Sequence, residues 1–99
     1  MSVAKEIIKR VADDTGITVD ELTVSGLLAF LREKRRKVML ERLDVLARHG
    51  ATSVKEIGGK IKDGEIPEHP AWEDLIFLEN LESAIVRIDK DIEAIQESS

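Results

Sequence analysis

Apolar residues recur along the last third of the chain at steps of three and four. The series is Ala71, Asp74, Leu78, Leu81, Ile85, Ile88, Ile92 and Ile95, with one polar member, Asp74. Such a heptad seam predicts one amphipathic helix over 70–97 that needs a partner helix. Its ~27 residues span roughly 40 Å at the α-helical rise. A second seam runs through Val24, Leu28, Leu31, Arg35, Val38, Arg42, Val45 and His49. Leu27, Met39 and Leu46 share its face, whereas Glu33, Lys37, Glu41, Asp44 and Arg48 lie opposite.

The ends of that second helix are written in capping chemistry. Thr18-Val19-Asp20-Glu21 fits a capping box, with Ile17 and Leu22 placed as a hydrophobic staple. Gly50 follows His49 as the stop. The helix is therefore expected over 19–49. Ser25-Gly26 either breaks it near its start or marks a small-residue contact inside a continuous helix.

Two shorter helices complete the pattern. Val3, Ile7, Ile8 and Val11 give an apolar face over 3–13, with Ser2 as the cap and Asp13-Asp14-Thr15-Gly16 as the end. A helix this short does not hold alone and must lie on something else. Ser53-Val54-Lys55-Glu56 reads as a second capping box opening a helix over 54–62, weakened by Gly58-Gly59. Residues 65–69 read as extended, since Pro67 and Pro70 disfavour helix in the residue before each. Pro70 suits the first helical position.

The expected fold is a single all-α domain over 1–99, an antiparallel hairpin of the two long helices with two short ones. Placing His49 beside Pro70 sets Arg42 near Asp74–Phe77 and Arg35 near Leu81–Ile85, within reach of Glu82. Arg42 with Asp74, and Arg35 with Glu82, are then the expected ion pairs that fix register, because a guanidinium on an apolar seam needs a carboxylate.

Composition sharpens this. With one Trp, two Phe and no Tyr among 99 residues, Ile, Leu and Val must fill the core. A chain of this length builds only a modest core, so self-association would help it. The absence of Cys excludes disulfides, thiolate metal sites and thiol catalysis. No signal peptide or membrane-length apolar run is visible, so a cytoplasmic protein without membrane contact is expected. The net charge of −5 is divided unevenly. Residues 1–62 carry 13 Lys/Arg against 9 Asp/Glu, and residues 63–99 carry 2 against 11. The two halves are expected to face each other.

Candidate chemistry is sparse. Arg32-Glu33-Lys34-Arg35-Arg36-Lys37 is basic enough for phosphate contacts, but its charges spread around the helix and no aromatic interleaves them. Neutralisation by the acidic third is the preferred reading, and nucleic acid is not the expected partner. His49, Glu65, Glu68, His69, Glu73 and Asp74 gather around the connector, yet Pro70 takes His69 out of the helix and no HExxH occurs. No glycine-rich phosphate loop and no nucleophile–base pair is present. No metal, no cofactor and no enzymatic activity is expected.

Trp72 is expected to anchor the connector over the helix ends. Exposed, it would instead form a partner-binding patch with Leu75, Ile76 and Phe77. The run Arg48-His-Gly-Ala-Thr-Ser-Val-Lys-Glu-Ile, followed by Ile61-Lys-Asp-Gly-Glu-Ile-Pro-Glu-His-Pro-Ala-Trp-Glu-Asp-Leu-Ile, resembles small uncharacterised archaeal helical proteins, some of them like the antitoxin halves of toxin–antitoxin pairs. That resemblance implies a non-enzymatic partner binder and carries over no functional residue. The sequence thus points to a helical interaction module that self-associates as a homodimer with a four-helix core. Its expected interface comprises Trp72, Leu75, Ile76, Phe77, Leu27, Leu28 and Leu31. The alternative is an antitoxin-like protein that binds a toxin, and DNA, through residues 1–37.

Overall fold

The computed structural model describes residues 2–98, with side chains from residue 4 onward. The Ser2 cap and the Val3 member of the first apolar face lie outside the described side chains. Four helices follow in order: α1 Ser2–Thr15, α2 Val19–Arg48, α3 Val54–Lys62 and α4 Glu68–Ser98. No strand occurs among the described residues.

Local chemistry sets the helix ends. Thr18 accepts from the Glu21 amide at 3.0 Å and the Glu21 carboxylate accepts from the Thr18 amide at 3.0 Å, closing the capping box. At the other end Gly50 turns with φ 60°. The Ala51 amide then reaches Leu46 O at 3.0 Å and the Gly50 amide reaches Ala47 O at 3.1 Å, a Schellman stop. Lys60 Nζ donates to His49 O and Gly50 O at 3.2 and 3.3 Å, which places a cation at the negative end of α2.

The second capping box is incomplete. Ser53 accepts from the Glu56 amide at 3.1 Å, but Glu56 bonds the amide and hydroxyl of Thr52, both at 2.8 Å, rather than Ser53. Its chain reaches one residue further back than the motif supposes. In α4, His69 has φ −108° and ψ 131°, so the regular helix begins at Pro70 as the pre-proline restriction requires. The His69–Pro70 bond is cis.

The long helices lie side by side and antiparallel. Three cross-helix pairs recur one heptad apart along α2: His49 with Asp74, Arg42 with Glu82 and Arg35 with Asp89. Between them sit the buried Val38, Val45, Leu46, Leu78, Leu81 and Ile88. Ile57 of α3 and Ala51 join this cluster, and Leu31, Leu75, Ile85 and Ile92 pack against it.

The register differs from the one expected by just over one helical turn. Arg42 meets Glu82, not Asp74, and Arg35 meets Asp89, not Glu82. The cause lies in α3. The first turn of α4 overhangs the end of α2, where Glu68, His69 and Trp72 line one hollow with Ile61 of α3. Asp74, not Pro70, is therefore the residue level with His49.

At the far end α1 packs on α2, and the molecule is long and thin, 60 × 26 × 20 Å. Its radius of gyration is 19.6 Å, against about 13 Å for a compact domain of this length.

Candidate interaction surface

His49 Nε2 donates to Asp74 Oδ2 at 2.8 Å, both side chains being largely buried, and Arg48 Nη1 stands 3.8 Å from the same oxygen. These three line a hollow with Ile66, Pro67, Pro70 and Ala71. His69 Nδ1 lies 2.6 Å from Glu73 Oε1 in a separate, exposed pair. The connector histidines thus take different carboxylates. Among the described residues no three His, Asp or Glu side chains come together as metal ligands. No helix among them is long and apolar enough to cross a membrane.

The basic stretch is partly consumed within the chain. Arg35 Nε bonds Asp89 at 2.7 Å, and Arg36 grips Glu33 at 2.7 and 2.9 Å. These hydrogen bonds, and then the attraction of the partner carboxylates, raise both guanidinium pKa values. The Arg36 contact in turn lowers that of Glu33. Arg32, Lys34 and Lys37 form no direct salt bridge among the described residues, Lys37 acting on Glu33 only through space, and Arg32 points away from the side of α2 that Lys34 and Lys37 share.

The apolar residues divide sharply. Leu31 and Leu75 pack against the core and so serve the hairpin itself, and Leu28 is half-buried. Trp72, Ile76, Phe77 and Leu27 remain exposed. Trp72 is 51 % exposed, so it does not act as a buried anchor.

A second apolar patch lies at the other end. Ile7, Ile8 and Val11 of α1 and Leu22, Gly26 and Leu27 of α2 line an open apolar groove of about 380 Å³. Phe30, one turn beyond Gly26, is 67 % exposed. The α2 helix is continuous through Ser25-Gly26, and a Cβ built on Gly26 would meet nothing within 4 Å. Gly26 therefore neither breaks the helix nor serves a close contact within the chain. The α1 face and Leu27 were expected to need a cover, but the groove they form with Gly26, and Phe30 beside it, were missed because Gly26 and Phe30 lie off the α2 seam. An exposed aromatic one turn from a mid-helix glycine was the available signal.

Total accessible surface gives the scale. The chain exposes 7162 Å², whereas a compact monomer of 11.1 kDa exposes about 5,700 Å². Fold and surface together define an all-α helical hairpin with extensive apolar side-chain area left uncovered. The chain belongs to the uncharacterized protein MJ0235 family, whose model it matches over residues 1–99. This accords with the resemblance to small uncharacterised archaeal proteins carried by residues 48–57 and 61–76. No curated protein and no solved structure matches it.

Proposed function

We propose that this protein is a non-catalytic helical interaction module, acting in the cytoplasm, that self-associates as a homodimer. The observation that carries the reading is the excess surface. About 1,500 Å² more is exposed than a compact chain requires, and a standard interface takes about 800 Å² from each partner. That surface includes Phe30, Leu27, Trp72, Ile76 and Phe77, apolar groups a lone monomer gains nothing by exposing. Sedimentation equilibrium across a concentration series is the test. A mass near twice 11.1 kDa is expected, and a mass of 11.1 kDa at the highest concentration overturns the proposal.

The antitoxin-like alternative draws on Arg32, Lys34 and Lys37, the part of the basic stretch without a direct salt bridge. Three cations spread around one helix make a weak phosphate-contacting face, and sequence-selective nanomolar DNA binding at ~150 mM salt would be needed to favour it.

A further inference from the structure

Resting on self-association as just proposed, we infer that the groove between α1 and α2 is the dimer interface, and that its occupant is Phe30 of a second copy of this chain. Knob and hole sit side by side on one surface. Gly26 forms the floor of the hole, and Phe30 stands four residues on, on the same side of α2. A patch carrying both parts is self-complementary under a two-fold axis, where residue i meets j and j meets i.

Antiparallel crossing of the two α2 helices near residue 28 then lays each Phe30 over the other copy's Gly26. The missing Cβ lets the ring approach the backbone there, and the space above Gly26 is empty in the single chain. Charge agrees with the same crossing. It brings Asp20, in the first turn of one α2, near Lys37 of the other. Asp20 forms no ion pair among the described residues, and Lys37 acts on its own Glu33 only through space, without a direct salt bridge, so both can meet the second copy. The excess area is ample for such an interface.

Three variants test the inference by sedimentation equilibrium, with helicity and thermal melting followed alongside. Gly26→Leu fills the hole where nothing stands in its way, and it favours helix, so the monomer should melt no lower. Phe30→Ala removes the knob without disturbing any core contact. Each should weaken the dimer by about 30-fold or more, the size of an interface hot spot. Trp72→Ala, at the other end, should leave dimerisation within about threefold of the unmodified chain.

Because the chain has no Cys, register is read separately. A mixture of Thr23→Cys and Glu33→Cys chains should form a disulfide-linked heterodimer under mild oxidation, and neither variant alone should link as well. If the unmodified chain dimerises while Gly26→Leu and Phe30→Ala dimerise equally well, this interface is wrong and self-association stands. A failed cross-link with both variants impaired overturns the antiparallel crossing. A monomeric unmodified chain overturns both readings, and the groove then belongs to a different protein.

Discussion

The two ends of the hairpin are built from similar residues and differ in what covers them. At the α3 end a third helix closes over the pair, and Val45, Leu46, Ile57 and Leu78 are almost wholly removed from water. At the α1 end a helix of comparable apolar content leaves Ile7, Ile8 and Val11 exposed, and Ala12 is its buried apolar residue. α3 sits against α4 as well as beneath the end of α2, so three elements share one core. α1 packs chiefly on α2 and closes no such three-sided space. Apolar content alone does not bury a surface; a third wall does.

The sharpest way to break this comparison is to truncate one side chain at each end. Ile57→Ala, at 0 % exposure, removes atoms from a closed core and should cost about 2–5 kcal/mol. Ile7→Ala, half exposed in the single chain, should cost under ~1 kcal/mol in a background with a weakened dimer such as Phe30→Ala, which leaves the groove unfilled. Urea unfolding measures both. Equal costs would mean that α1 is as well covered as α3.

Much of this architecture was legible because its signals are local. Thr18 and Glu21 announce the start of α2, Gly50 its end, and Pro70 the regular start of α4, each through backbone rules that need no distant neighbour. The heptad spacing of Arg35, Arg42 and His49 also marked the polar members of the α2 seam. Their partners were not legible, since register depends on how far α4 overhangs α2 to cover α3. Nor could the pattern reveal the groove. Phe30 is unremarkable on a wheel centred on the seam, and Gly26 reads as a defect until the space above it is seen to be empty.

The register itself gives the next, smaller contrast. Asp74 and His49 are mostly buried, at 17 % and 10 % side-chain exposure, so Asp74→Ala strands a ring nitrogen and should cost about 1–3 kcal/mol. Arg42 and Glu82 meet at 2.8 Å near the rim, the carboxylate 42 % exposed. A double-mutant cycle on that pair should give a coupling below about 1 kcal/mol. A coupling of several kcal/mol would mean that the rim pair, rather than Asp74 with His49, holds the helices in step.

The smallest expected effect concerns acid, and it compares the caps at the two ends. The Thr18 amide, and then its hydroxyl, hold the Glu21 carboxyl below its ordinary value of 4.5. The Thr52 amide and hydroxyl do the same for Glu56. Each carboxylate is ionised more readily in the folded chain than in the unfolded one. The stabilisation is therefore complete above about 4.5 and is lost as pH falls through the lowered folded values. Glu21 is exposed and Glu56 only partly covered, so the loss is small and local: fraying of the first turns of α2 and α3, not unfolding. Replacing Glu21 by Gln keeps a side-chain acceptor for the Thr18 amide but removes the titrating group. Amide exchange at residues 19–22, compared between the two chains from pH 5 to pH 3, should show extra opening, beyond the intrinsic pH dependence of exchange, only where Glu21 is present. Extra opening of the same size in the Gln variant would assign the acid sensitivity to another group. At the α3 end the same experiment on Glu56→Gln should move residues 54–56, while Ile57 and the core behind it stay protected.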